Sequence, residues 1–395
     1  MPETSTLRRL DPAASPLHSG IRVPTFLGLQ ILATLFPLTA GLAVYGWRGL
    51  GSAAAVVLSA LGALAVLRKI GWRGRQVRMW HGLLAATVVA LMLPPHLFTR
   101  LPMSGQIVWP ILPAAGITLA ILIWLLGGLG TQRVPPSVVT LLLLFVLFHE
   151  LLAPRYVLRP DRLFVGDLLN SDPSPEELSD PNPWYNRTPA TGYDSLRREP
   201  VGDRLLAYTS SQQRPDRASL TVQMLIRDRM PPLENLIVGG QSNTLGNASA
   251  IAVIAGGLFL LYQGLIDFRI PLLGTLSAMA AMLILPIPIY ITEAGAHWRW
   301  FAFRPHYLGW PTALTFVNYE IFASPLLFTL FFLATAPGLR PITRRGRAIF
   351  AIFLGILSAV FQLYASVAIG PYIALLVTVL LTPTLDRAIR PRTLV

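Results

Sequence analysis

A chain of 395 residues that is 53% hydrophobic and only 13% charged falls well short of the roughly 25% charged residues of soluble domains. This composition excludes a soluble globule and points to a polytopic membrane protein. The net charge of +13 lies mostly on arginines between apolar runs, the placement of a positive-inside bias and not of a nucleic-acid-binding stripe. With no cysteine, the chain by itself holds neither a disulfide nor a thiolate-ligated iron–sulfur cluster, so any redox role needs an organic cofactor or haem.

Residues 1–23 carry Arg8, Arg9 and Pro12 but no apolar core with a small-residue cleavage site, and read as a cytoplasmic tail. A bilayer-spanning helix needs about 20 mostly apolar residues. Ten candidates follow in chain order: 24–47, 51–67, 80–98, 106–128, 135–153, 248–266, 270–291, 312–335, 348–367 and 370–385. The connection after the second holds Arg68, Lys69, Arg73, Arg75 and Arg78; that after the eighth holds Arg340, Arg344, Arg345 and Arg347; the C-terminal tail from 387 holds Arg387, Arg390 and Arg392. Assigning these to the cytoplasm places both termini inside. The 154–245 segment then lies outside, where its many arginines do not contradict the assignment because long loops escape the charge rule.

Five spans precede that segment and five follow, so the halves 24–153 and 246–386 run in opposite senses. The expected fold is all-α: two inverted five-helix repeats with a long external insert, and sites at broken helices where the repeats meet. Within the insert, 171–186 ("SDPSPEELSDPNPWYN") reads as irregular loop. Residues 204–230 read as short helices or strands lying against the membrane face, and the segment 154–245 as a whole is too modest in apolar content to stand as an independent domain.

Four stretches carry a family resemblance: "LPP" at 93–95, "GGLG" at 127–130, "NTLGNASAIAVIAGGLFLLYQGLIDFRIPL" at 243–272, and "LATAPGLRPITRRGRAIFAIFLGILSAVFQLY" at 333–364 followed by "LLTPTLDR" at 380–387. In that order they resemble the integral-membrane family that contains the D-type subunit of Rnf electron-transport complexes and the B-type subunit of the sodium-translocating NADH:quinone oxidoreductase. The resemblance implies a membrane subunit of a bacterial inner-membrane redox complex. In that family electrons pass through an FMN, attached by its phosphate to a threonine of a Ser-Gly-Ala-Thr motif outside the membrane, and in some members through a second, non-covalent flavin.

The loop "TPATGYDSLRR" at 188–198 aligns with that motif and makes Thr191 the equivalent of the acceptor. A phosphodiester there keeps a negative charge, and Arg187, Arg197 and Arg198 are near enough in sequence to pair with it, with Thr188 alongside. Pro189 replaces the motif's glycine and restricts Thr188 as well. An unmodified arginine-rich surface loop is the alternative reading.

Gly246, Asn247 and Ser249 open the sixth span, where free backbone N–H groups and the positive end of a helix suit an anionic or carbonyl-bearing ligand. The resemblance expects Glu in place of Asn247, whose everyday role is a helix cap. Gly127, Gly128 and Gly130 mark either close helix packing or a break lining a cofactor or ion site. The resemblance also expects Asp where Ala336 stands. Glu320, an acid inside the eighth span, is a candidate proton or ion relay, with snorkelling toward the outer face as the alternative. His96, His149, His297 and His306 near the outer ends of spans leave bis-histidine haem ligation as a further reading.

With no nicotinamide fingerprint and no cluster ligands, the chain reads as an electron-transfer subunit served by partner membrane subunits, not as a stand-alone enzyme. A secondary transporter or channel, which shares the inverted-repeat architecture, and a cofactor-free scaffold of a redox complex are the competing classes.

Overall fold

A computed structural model describes residues 23–70, 79–98, 108–126, 134–152, 156–158, 195–197, 201–210, 220–239, 243–292, 295–304 and 308–389. The first half begins with α1 (Val23–Ile70), two apolar helices joined at Gly46, whose φ of 63° and ψ of −152° interrupt the helical geometry. The break falls at the end of the first expected span, 24–47, one residue before its bound. Next come α2 (Met79–Met92), a 3₁₀ turn at Pro95–Phe98, α3 (Ile111–Leu126) and α4 (Pro136–Leu152). The α2 helix stops before Pro94 and Pro95 because proline lacks an N–H and biases the preceding residue away from helix.

Part of the insert is structured. Strands β1 (Tyr156–Leu158) and β2 (Ser195–Arg197) pair antiparallel and bring the two ends of the intervening segment together. Helices α5 (Val201–Thr209), α6 (Val222–Arg229) and α7 (Leu233–Ile237) follow, with β3 (Leu220–Thr221) before α6. These helices pack on the second half through specific bonds. The Tyr208 hydroxyl donates to the Pro288 and Ile289 carbonyls, at 3.0 and 3.1 Å. Thr209 Oγ1 donates to the Leu363 carbonyl at 2.7 Å, and the Tyr319 hydroxyl to that of Pro231.

The second half comprises α8 (Ala250–Tyr262), α9 (Arg269–Ile284), β4 (Ile287–Thr292), β5 (Gly295–Arg299), α10 (Trp310–Ala323), α11 (Leu326–Phe328), α12 (Arg344–Tyr364) and α13 (Gly370–Ala388). Two expectations need correction here. The seventh span was expected as helix through 291, but the helix ends before Pro286. The alternating Ile287, Ile289 and Ile291 then form a strand in a three-stranded antiparallel sheet ordered β3–β4–β5, so the fold is mostly helical and not all-α. The eighth span is bent by 63° between Ala323 and Leu326. Beyond the bend, α11 passes into a π turn at Thr329–Leu333, with the Ala334 N–H bonded to the Thr329 carbonyl at 2.8 Å.

Among the described residues, three helices are long and apolar enough to cross a membrane: Val23–Gly46, Gly49–Lys69 and Arg344–Tyr364. The bent pair Trp310–Ala323 and Leu326–Leu333 passes the same test as a unit. Five further apolar helices are shorter. Large apolar side chains such as Val146 (82% exposed) and Leu58 (69%) face outward along the bundle, as expected of a surface solvated by lipid.

The two most extensive helix pairs, α9 with α12 and α1 with α3, share one local device. A Cβ added at Gly116 of α3 would lie 2.5 Å from the Val56 carbonyl oxygen and 2.8 Å from the Ala60 nitrogen, and against Ser59 Oγ. One added at Gly355 of α12 would meet the Gly274 carbonyl, Ser277 Oγ and, at 3.0 Å, the Ala278 nitrogen. Each serine returns its hydroxyl to the carbonyl three residues earlier, at 3.0 Å in both cases. Small residues at the contact, Ser59 and Ala60 in one pair and Gly274, Ser277 and Ala278 in the other, thus let backbones touch, the usual route to helix association where lipid removes the hydrophobic drive.

One end of the bundle is basic. Arg68 and Lys69 close α1, Arg344, Arg345 and Arg347 open α12, and Arg387 lies in the last turn of α13. Arg347 fixes the connections there: its guanidinium donates to Asp267 Oδ2 at 3.0 Å and to the Pro341 and Ile342 carbonyls. Burial alone would raise the Asp267 pKa. Hydrogen bonds from the Arg269 N–H and from Arg347, with both positive charges, outweigh burial and hold it below the ordinary carboxylate value.

Candidate functional site

The halves meet where 243–249 crosses the break after α2. Tyr45, buried in α1, clasps this segment: its hydroxyl donates to the Asn243 carbonyl and accepts from the Asn243 N–H, both at 3.1 Å. The Leu245 N–H bonds to the Leu93 carbonyl at 3.1 Å, an acceptor left outside the helical ladder because α2 has ended and the Leu97 N–H turns to the Pro94 carbonyl. Gly246 sits so close to this break that an added Cβ would lie 2.8 Å from Leu91 Cβ and 2.9 Å from its carbonyl oxygen. Its glycine identity serves a backbone-to-backbone crossing.

Asn247 is not the cap of the following helix. Residues 245–247 form a 3₁₀ turn, and the N-cap of α8 is Ser249. The Ser249 hydroxyl does not cap either; it donates to the Ile237 carbonyl at 3.2 Å, tying the helix to α7. The N–H groups that open α8 therefore receive no side-chain cap, and Asn247 Nδ2 is buried without a hydrogen-bond partner. An unpartnered amide beside an uncapped helix N-terminus suits a carbonyl or anionic group.

A cavity lies between the halves, lined by Gln30 and Thr34 of α1, His81 and Val88 of α2, Ser137 of α4, Leu260 of α8, Phe332, and the 336–339 turn. Its walls are mostly apolar, with a few convergent polar groups, the usual make-up of a small-molecule site. His81 is buried and its Nδ1 has no partner. Sequence reasoning singled out none of Gln30, Thr34, His81 and Ser137, although each is a polar residue inside an apolar window. Ala336, where the family resemblance expects Asp, borders this cavity.

Glu320 is wholly buried in α10, and neither carboxylate oxygen has a hydrogen-bond partner. Snorkelling is overturned, because α5, α6, α7 and α9 all pack on this helix. His96 is buried with Nε2 3.0 Å from the Leu151 carbonyl. That contact makes Nε2 a donor, so only Nδ1 of this ring keeps a lone pair. His297 is exposed and lies against Tyr290, ring centroids 4.3 Å apart, and His149 lies against Phe145. Among the described residues no group of three or more His, Cys, Asp and Glu is placed to hold a metal ion.

Arg187, Thr188 and Thr191, the "GGLG" glycines Gly127, Gly128 and Gly130, and His306 lie outside the described residues. Of the attachment-loop candidates only Arg197 is reached, as the last residue of β2, paired with Tyr156. The structure thus brings Gly246, Asn247 and Ser249 together at the crossing of the halves and leaves Glu320 apart from them in α10.

Known proteins are similar to this chain, some of them along nearly its whole length. The sequence model of the NQR2, RnfD, RnfE family matches residues 13–395. The D-type subunit of the ion-translocating oxidoreductase complex of Halorhodospira halophila is 25% identical over 94% of this chain and 91% of its own length. That of Aeromonas salmonicida is 25% identical over 96% and 97%. The D-type subunit of the Na(+)-translocating ferredoxin:NAD(+) oxidoreductase complex of Acetobacterium woodii is 27% identical over 41% of this chain and 43% of its own. A match over nearly the whole length, on a helical membrane framework, makes this chain a member of the NQR2, RnfD, RnfE family.

Proposed function

We propose that this protein is the D-type membrane subunit of an ion-translocating oxidoreductase complex, passing electrons through flavin to or from partner membrane subunits. The observation that carries this reading is the co-extensive match to D-type subunits along more than nine-tenths of both chains. The protein lies in the bacterial inner membrane, both termini in the cytoplasm and the basic end of the bundle inward.

The framework is a pair of inverted five-helix repeats, 24–153 and 246–386, with 154–245 outside. Two features support this. In each half the fourth helix lays a glycine against the backbone of the second, Gly116 on Val56, Ser59 and Ala60, and Gly355 on Gly274, Ser277 and Ala278. In each half the third helix breaks before a proline, at Leu93–Pro94 and Ser324–Pro325. Helices broken at matching places are where such repeats build their sites.

Flavin enters at two places. Thr191 is the candidate for covalent FMN, with Arg187 and Arg197 to pair with its phosphate. The mostly apolar cavity at Gln30, Thr34, His81 and Ser137, with its unpartnered His81 nitrogen, is the candidate place for a second, non-covalent flavin, although at about 80 Å³ it must widen to admit the ring system. A bound flavin would supply one- or two-electron chemistry. The chain's own part is to hold the ring, exclude water and bond its polar edge. The residues at Pro189, Asn247 and Ala336 favour a second reading, a cofactor-free scaffold of the same complex.

Intact mass of the chain, purified from cells that contain a flavin-attaching enzyme, tests the proposal. A gain of one FMN minus water, abolished in Thr191→Ala, is the expected result. An unmodified mass in a colourless preparation that still copurifies with partner subunits would replace it with the scaffold reading.

A further inference from the structure

Glu320 lies in the last turn of α10, immediately before the bend at Ser324–Pro325. The bend rearranges the local hydrogen bonds. Pro325 has no N–H to give the Ile321 carbonyl, and Ser324 Oγ takes that place at 3.2 Å. The Leu326 N–H bonds to Ser324 Oγ at 3.3 Å instead of continuing the helical ladder. The last turn of a half-helix is the negative end of its dipole, with backbone carbonyls released from the ladder. A buried carboxylate with both oxygens unpartnered adds a full negative charge there. On the far side of the bend, the Thr329 hydroxyl is also wholly buried without a partner, and a π turn begins. Such turns are frequent at functional sites.

Helix α5 brings Asp203 and Arg204, α6 Arg227 and α7 Glu234, yet no hydrogen bond reaches either Glu320 oxygen. An isolated buried carboxylate is too costly to persist ionised, so it must be met by a cation. A single acid balances one positive charge, and half-helix C-terminal ends with unwound carbonyls are where membrane proteins hold Na⁺ or H⁺.

We propose that Glu320 is the charged ligand of a monovalent-cation site at the α10–α11 bend, occupied by a proton or by Na⁺. Its purpose rests on the ion-translocating reading above, but its occupancy depends on neither flavin nor turnover, so failure of one leaves the other standing.

The test uses the full-length chain in lipid nanodiscs, without redox partners. Thermal melting is compared in NaCl and in choline chloride at equal ionic strength. Infrared spectra in ¹H₂O and ²H₂O look for the carbonyl stretch of a protonated carboxylic acid. A sodium-specific rise in melting temperature that Glu320→Gln loses assigns the site to Na⁺. A protonated-acid band, insensitive to sodium and removed by Glu320→Gln, assigns it to the proton. If Glu320→Gln does not fold, Glu320→Asp keeps the charge and must shift whichever signal the wild type shows. Absence of both signals in the wild type, or their survival unchanged in the variants, overturns the proposal.

Discussion

The glycine at the centre of each helix pair gives the sharpest stability test. Replacing Gly116 by Ala places a methyl group 2.5 Å from the Val56 carbonyl oxygen, whereas ordinary contact begins near 3.4 Å. The obstacle is backbone, so α1 and α3 must separate locally by about 1 Å, losing dispersion contacts along the seam, an overpacking cost of about 1–3 kcal/mol. Gly355→Ala meets the Gly274 carbonyl and Ser277 Oγ in the same way, and the same loss is expected. Gly62 of α1 is the internal control. Nothing lies within 4 Å of its Cβ position, so Gly62→Ala should be neutral or stabilising by up to about 1 kcal/mol. Unfolding in mixed micelles by SDS titration, followed by tryptophan fluorescence, measures all three. The double variant at 116 and 355 should sum the two losses, because the sites share no partner. Equal stability of Gly355→Ala and Gly62→Ala would refute the close-contact account.

Two further outcomes follow from the polar contacts. Tyr45→Phe removes both bonds to Asn243 and should cost about 1–2 kcal/mol in the same titration, while also weakening protection of the Asn243 amide from hydrogen exchange. Asp267→Asn should cost about 2 kcal/mol at neutral pH by removing charge-assisted bonds from Arg347 and Arg269. Because the folded-state pKa of Asp267 is depressed, its contribution is present above the unfolded value of about 3.9 and is lost as pH falls through the folded value. The wild type should therefore lose stability on the acid side more steeply than Asp267→Asn; parallel acid limbs would show that the pair contributes nothing.

Apolar run lengths and the placement of arginine were sufficient for a membrane protein with long helices at Val23–Gly46, Gly49–Lys69 and Arg344–Tyr364, because both signals are local in the chain. Breaks were legible wherever proline or glycine made them, as at Gly46 and Pro94. The strand at Ile287–Thr292 was missed because its alternation is short and continues directly from the apolar run of the preceding helix. Pro286 and Pro288 were the available signal, and pairing with β3 and β5 decided the outcome. The cap at Ser249 was misplaced by two residues, since the 3₁₀ turn that precedes it is set by the crossing against Leu91 and Leu93.

For the candidate site, the sequence by itself determined which residue types were available: an acid inside an apolar span at Glu320, small polar residues at Gly246, Asn247 and Ser249, and a threonine at 191 among arginines. Tertiary structure alone decided that Gln30, Thr34, His81 and Ser137 share one cavity, because they come from three helices far apart in the chain. It also decided that Glu320 is enclosed and not snorkelling. A residue's depth along its helix follows from counting, but what covers it depends on the helices of the insert, which fold back onto α10 from a distant part of the chain.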